Sequence, residues 1–306
     1  MTMNSKKNHR DILQETVNKK YRKRMFVNKL VTIFTIVCVI AAIVPLTSIL
    51  IEVIKNGISA ISYDFLTKPQ GSIGSGSGGI APAIQGTFIV VGLAAAIGTP
   101  VGLLTGIYLS EFAREGTFSN AVRFFNDVLT GLPSIVIGIV GYVLIVLALG
   151  SFSVIAGALS LSIIMIPIVV RVTEETLKVV PYSLREAGHS LGLSKAKITL
   201  FIVLPAAKDG ILTGIVVAIS RIAGETAPLI MTILGTSLFF TGITGPVDAL
   251  PLRIWRLASQ PYESAHSFGW GSALVLILMI LALSMGLRLL VQKRSLRPVT
   301  DRKSVV

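Results

Sequence analysis

The sequence is poor in the residues that build catalytic and metal centres. Its single cysteine, Cys38, lies in an apolar run, which excludes an internal disulfide framework and a cysteine-based metal site. The three histidines, His9, His189 and His266, lie far apart and show no ligand spacing. No Walker A phosphate loop occurs anywhere. Charged residues make up 14% of the chain, against about 25% for a soluble domain that needs a polar skin. Of the charged residues acid is the scarcer, 15 residues against 28 Lys and Arg, for a net charge of +13. What is abundant is apolar: 52% of the residues, with a mean hydropathy of +0.78. Such a chain cannot cover a water-facing surface, so lipid is its main solvent. A basic excess can signal nucleic acid, but here nine basic residues fall within the first 29, ahead of any long apolar run. That is the flank of a membrane segment, and no nucleic-acid partner is expected.

A bilayer core of roughly 30 Å takes about 20 apolar helical residues. The charge-free stretches predict six spans in an all-α membrane protein. They are Leu30–Ile51, Gln85–Ser110, two within the charge-free run Val128–Val170, then Ile211–Thr236 with two internal charges, and Ala265–Leu287. The break inside the long run is placed at Leu149-Gly150-Ser151-Phe152-Ser153. Lys and Arg number nine in 1–29, two in 111–127, six in 171–210 and five after Val291; the outer segments 52–84 and 237–264 hold four. By the positive-inside rule both termini are cytoplasmic. Leu30–Ile51 is too long for the apolar region of a secretory signal and ends in Leu-Ile-Glu52, so it is expected to stay as an anchor. The organisation is then a basic tail 1–29, an anchor 30–51, an external Gly/Ser-rich loop 52–84, a transmembrane domain 85–292 and a basic tail 293–306. The first tail reads as a simple tether. Trp255, Tyr262 and Trp270 read as interfacial residues, and Leu252–Arg256 as an outer amphipathic segment.

Two loops differ from the rest. The outer stretch 71–80, Gly-Ser-Ile-Gly-Ser-Gly-Ser-Gly-Gly-Ile, has glycines that can offer backbone N–H groups to phosphate, but no Lys-Ser/Thr pair follows, and a flexible turn is the favoured reading. The inner stretch 171–210 predicts two short amphipathic helices. The first opens at Pro181-Tyr182-Ser183, with Ser183 as N-cap and Glu186 completing a capping box. It carries Leu184, Ala187 and Leu191 on one side and breaks at Gly192. Ser194 caps the second, which Pro205 terminates. Their apolar stripe covers either the chain's own membrane domain or a partner.

Glu186-Ala187-Gly188, three residues, Gly192, nine residues and Ile202-Val203-Leu204-Pro205 resemble the EAA motif of ABC importer permeases at every spacing. Gly188 departs from the usual second Ala, a change that weakens helix propensity by up to about 1 kcal/mol. The resemblance implies the type I importer permease fold, with Glu186, Ala187, Gly188, Gly192, Ile202, Leu204 and Pro205 coupling to a separate ATPase subunit dimer. It also implies a companion permease as the other half of the pore and an external binding protein. The chain itself would bind no cofactor; ATP and Mg would be used by the ATPase.

The fifth span carries Ser220-Arg221-Ile222-Ala223-Gly224-Glu225-Thr226-Ala227-Pro228. A helix starting near Ile211 would put Arg221 about 15 Å in, at the bilayer midplane, with Glu225 on the same face. Each such charge disfavours insertion by at least about 2.5–3.5 kcal/mol, so both should face a bundle interior or a wet path. The guanidinium fork suits an oxyanion. Glu225 either neutralises Arg221 at rest or accepts a proton from a substrate that still carries P–OH, which sulfate lacks. Gly224 and Pro228 can open the helix locally, and Thr226 adds a hydroxyl. Arg171 is a second path candidate, weighed evenly against an inner-face anchor beside Glu174 and Glu175. On chemistry alone the cargo is a small oxyanion.

Arg221–Leu229, Pro167–Glu175 and Gly78–Thr87 resemble the signature stretches of PstA-type permeases of phosphate ABC importers, over about residues 60–290. The resemblance implies phosphate as cargo, with Arg221, Glu225 and Thr226 in its path and Arg171 as a candidate, in a multi-pass protein of the cell membrane. The alternatives are a permease for sulfate or molybdate and a non-transporting membrane scaffold, which would leave the buried charges unexplained. An intramembrane enzyme lacks a nucleophile–base or metal constellation to work with.

Overall fold

The computed structural model describes residues 3–71, 77–113 and 116–295. It divides into two units, 1–55 and 56–306. The first unit is helical: α1 runs Met3–Gly57 with Pro45 inside it. The tail expected as a tether is therefore helix from Met3 onward, continuous with the apolar anchor.

The second unit is a helical bundle. Its elements are α2 (Tyr63–Thr67), α3 (Ala81–Ile107), α4 (Thr117–Gly131), α5 (Ser134–Gly141), α6 (Leu147–Leu149), α7 (Val154–Val179) and α8 (Tyr182–Ser190). They continue as α9 (Lys195–Ile198), α10 (Leu204–Ala223), α11 (Ala227–Thr232), α12 (Leu250–Ala258) and α13 (Glu263–Ser295). Among the described residues there is no strand, only the isolated bridges Gln70–Gly78 and Leu234–Val247. Five helical stretches are long and apolar enough to cross a membrane: Arg24–Ala60, Ala81–Phe112, Val154–Val179, Lys195–Ala223 and Glu263–Leu289. A sixth is a bent pair, Thr117–Gly131 with Ser134–Leu149, folded by 103°.

That bend corrects the third expected span. A charge-free run says nothing of backbone direction, and Pro133 interrupts this one. Leu132, ahead of it, is extended (φ −72, ψ 136), as the clash with a following proline ring demands. The next break lies where expected. Gly150 adopts φ +68, a conformation that glycine reaches without steric cost. Ser153 then caps α7 by accepting from the Ala156 N–H at 3.2 Å.

α7 is the hub, and glycine is what lets its neighbours approach. Gly98, Gly102 and Gly106 form one stripe on α3, seated on Met165, Val169 and Thr173 of α7. A Cβ at Gly102 would stand 2.7 Å from Val169 Cβ, and one at Gly106 2.6 Å from Thr173 Cβ. In lipid no hydrophobic gain drives helices together, so close van der Waals contact across small residues must do it. From the other side Gly210 and Gly214 of α10 lie against Thr176 and Val172. The registers show that α3 runs parallel to α7 and α10 antiparallel to it. α5 closes on α11 through Gly138, where a Cβ would meet Pro228 Cα at 2.7 Å. The core these seams enclose includes Val90, Ala94, Leu161, Met165, Ala218, Ile222, Leu229 and Ile233.

The end of the bundle that holds α2 and α12 is knit by the Gly78–Thr87 stretch. Gly78 takes φ +96, Ile80 N–H donates to Phe65 O at 2.7 Å, and Pro82 sits in the first turn of α3. Gln85 Oε1 accepts from Phe240 N–H at 3.0 Å, and Thr87 Oγ1 from Leu250 N–H at 2.8 Å. Residues 72–76 of the glycine-rich loop lie outside the described residues. α12 is amphipathic as expected, with Trp255 exposed. Its Arg253, however, is not at a surface: it is 1% exposed and pairs with Asp248 at 0%. Burial pushes the Asp248 carboxyl up and the Arg253 guanidinium down, each opposed by the other's charge.

Candidate functional site

The fifth span ends where its sequence allows a helix to open. α10 stops at Ala223, and the Gly224 N–H turns back to the carbonyls of Arg221 and Ile222. Glu225 N–H bonds to Ile222 O at 3.2 Å. Thr226 then stands as the N-cap of α11, its carbonyl accepting from Leu229 and Ile230, and Pro228 occupies the first turn, where a missing N–H costs nothing. Arg221 and Glu225 therefore straddle a break, not one helical face. They still meet, with Arg221 Nη2 3.7 Å from Glu225 Oε1, the arginine side chain 60% exposed and the glutamate 17%.

Their level in the bundle differs in origin from the expectation. The helix does not begin near Ile211; α9 continues through a π turn, Thr199–Val203, into α10, so Arg221 lies in the last turn of a 29-residue helical stretch. Gly210 faces Thr176 and Gly214 faces Val172. Extending that antiparallel register puts Arg221 level with Met165, about 17 Å along α7 from Val154 and so near the middle of that helix. Arg171 falls about 9 Å further along the same axis by the same rise. It is not joined to the Arg221 pair: its Nε donates to Glu175 Oε1 at 2.6 Å on an exposed face of α7. Glu174 is the buried one, holding Arg123 at 3.1 Å and Lys178 at 2.7 Å.

The loop 171–210 forms the expected two helices with three corrections. Ser183 is not the N-cap of α8; Pro181 holds that position with no side-chain bond, so no capping box forms. Ser194 does precede α9, again without a side-chain bond. Pro205 does not terminate the second helix. It lies in the first turn of α10, directly after the π turn, whose wider spacing relieves the clash between a proline ring and the carbonyl four residues back. Gly192 breaks the loop as predicted, at φ +71. Leu184, Glu186, Ala187 and Leu191 are exposed along α8, while Gly188 is buried. A Cβ on Gly188 would lie 2.8 Å from Ile198 Cγ1 and 3.0 Å from Ile202 Cδ1. The glycine that departs from the motif is thus the residue that seats α8 on the chain's own second helix. Ile202 and Leu204 are half-buried beneath it, and Pro205 is exposed.

Two residues outside the motif hold this arrangement. Arg185 donates to both oxygens of Glu111, at 3.2 and 2.6 Å, and to the carbonyls of Val180 at 2.7 Å and Leu177 at 2.9 Å. The Glu111 bonds raise the Arg185 pKa further. Nothing in the local sequence announces this pair, whose members are 74 residues apart.

Residues 98–295 match the family of binding-protein-dependent transport system inner membrane components. The phosphate transport system permease protein PstA of Yersinia pestis is 36% identical over 282 residues, 92% of this chain and 96% of that one. That of Haemophilus influenzae is 38% identical, covering 90% and 98%, and a probable PstA of Methanocaldococcus jannaschii 35%, covering 87% and 94%. Among solved structures, an alginate ABC transporter in complex with a pentasaccharide-bound periplasmic protein aligns with a TM-score of 0.65 at 14% identity, covering 89% of this chain and 97% of that one. The inward-facing MetNI methionine ABC transporter aligns at 0.57 and 16%, covering 69% and 95%. At those identities the likeness is one of fold, that of the type I ABC importer permeases. The chain belongs to the binding-protein-dependent transport system inner membrane component family, and within it to the PstA-type phosphate permeases.

Proposed function

We propose that this chain forms half of the translocation path of an ATP-driven phosphate importer, with a companion permease as the other half. The observation that carries the reading is the Arg221–Glu225 pair at the helix break beside the middle of α7. A planar guanidinium can donate two bonds to one oxyanion, and a carboxylate beside it can accept from an oxyanion that keeps a P–OH. Phosphate near neutral pH offers both; sulfate offers only acceptors. Thr226 adds a hydroxyl at the break, and Arg171, about 9 Å further along α7 and paired with Glu175, is a second cation along the route.

The chain hydrolyses no ATP; a separate ATPase dimer does so with Mg. Its docking face on this chain is the exposed side of α8, with Glu186, Ala187 and Leu191, and with Gly192 setting the turn. An external binding protein delivers the ion. The protein is multi-pass in the cell membrane with both termini in the cytoplasm, a topology supported by the Lys/Arg distribution.

Glu186→Lys is expected to abolish ATPase-coupled uptake while the membrane domain still accumulates, because the side chain is exposed and its replacement strains no packing. Normal recruitment of the ATPase and normal uptake would remove the coupling assignment. For topology, a Ser5→Cys variant in a Cys38→Ser background should react with an impermeant thiol reagent from the cytoplasmic side alone; labelling from outside reverses the orientation.

A further inference from the structure

Resting on the reading that α8 docks an ATPase, we propose that Arg185, with Glu111, is the positioning residue that carries movement of α8 into α3 and α7. α8 is attached to the membrane bundle at few points. Its only buried residue is Gly188, packed on Ile198 and Ile202. The other anchor is Arg185, whose side chain is 15% exposed against 6% for Glu111, on a helix whose remaining side chains face outward.

What Arg185 grips is specific. Glu111 lies in the π turn Tyr108–Phe112 that ends the α3 span. Leu177 lies in the last turn of α7, where its carbonyl also accepts from Val180 N–H at 3.2 Å, and Val180 is the residue that caps the helix; a cation at this end is favoured by the helix dipole. One planar, rigid fork therefore holds α8 to the ends of two helices at once. Those two helices share the Gly98–Gly102–Gly106 seam, which is too close for sliding without clash, so they respond to Arg185 as one body. A second tie reinforces the link to the same turn: Lys195 Nζ at the start of α9 lies 5.7 Å from the Phe112 ring centroid, a cation–π distance. Arg185 points away from the exposed Leu184, Glu186 and Leu191 face, so it acts on what lies behind the docking face and not on docking.

The test uses the complete complex in vesicles, with inorganic phosphate as the probe, and reads both ATP hydrolysed and phosphate moved. Arg185→Met with Glu111→Leu removes both charges together and keeps apolar packing, which avoids stranding one buried charge. Arg185→Lys keeps the charge and loses the fork. Both variants are expected to retain the ATPase on purification and to hydrolyse ATP. The double variant should move at least about tenfold less phosphate per ATP, the loss expected when charge-assisted bonds no longer transmit the change, with Arg185→Lys between it and the wild type. An unchanged ratio in the double variant overturns the proposal. So does loss of ATPase binding in both variants, which assigns the pair to folding or docking. Failure of the underlying reading shows differently, as a Glu186→Lys complex that still retains the ATPase on purification and couples normally.

Discussion

Arg221→Gln leaves an assembled complex that moves at most about a tenth of the wild-type phosphate, since a hydrogen bond to a charged group contributes about 1.5–3 kcal/mol. The two possible roles of this arginine differ in magnitude. As a structural pair with Glu225 it contributes little: the contact is 3.7 Å, too long for a hydrogen bond, and the arginine side chain is 60% exposed in this chain. As an oxyanion ligand it supplies a directed fork. The variant should therefore fold, insert and recruit the ATPase while failing in transport. Arg221→Lys keeps the charge without the fork and is expected to fall between. Uptake measured beside the amount of complex in the membrane separates the roles. Normal uptake with normal assembly removes Arg221 from the path.

Gly102→Val is expected to act in the opposite sense, on assembly. The new Cβ would stand 2.7 Å from Val169 Cβ and 3.0 Å from Ile166 O, and a backbone carbonyl cannot rotate away. Overpacking of this kind costs about 1–3 kcal/mol, a factor of roughly 5 to 150 in the folded population, and here it falls on the seam of the hub helix. Gly92→Val on the same helix is the control, because a Cβ there meets nothing within 4 Å. Detergent-extracted chain that remains folded, followed by thermal melting, should show Gly102→Val strongly depleted and Gly92→Val close to wild type. Equal behaviour of the two would mean that the glycine stripe does not hold α3 to α7.

Much of this was legible in the chain. Charge-free lengths located the spans, because lipid admits few charges. Gly150 and Gly192 marked turns, because both need a left-handed backbone. The 186–205 spacing carried the resemblance to the importer permeases. The missing parts have definite physical origins. Pro133 lay inside a charge-free run, and only its effect on Leu132 shows that one expected span is folded by 103°. Pro205 read as a helix stop, because a π turn that accommodates proline leaves no compositional trace. Arg253 was counted among outer surface cations, though its burial depends on Asp248 and on the fold of 234–249. Arg185–Glu111 and Arg123–Glu174 join residues 74 and 51 apart, beyond any local pattern. The Gly98–Gly102–Gly106 and Gly210–Gly214 spacings repeat every four residues, the period of a small-residue helix seam.

This chain carries phosphate when a separate ATPase drives it. ATP-dependent accumulation of labelled inorganic phosphate can be followed in vesicles holding this chain, the companion permease, the ATPase dimer and the external binding protein. Uptake is expected to require ATP, to stop when this chain is omitted, to fall with Arg221→Gln and to resist competition by excess sulfate. Accumulation of sulfate or molybdate in preference to phosphate, or phosphate uptake that persists without this chain, would contradict it.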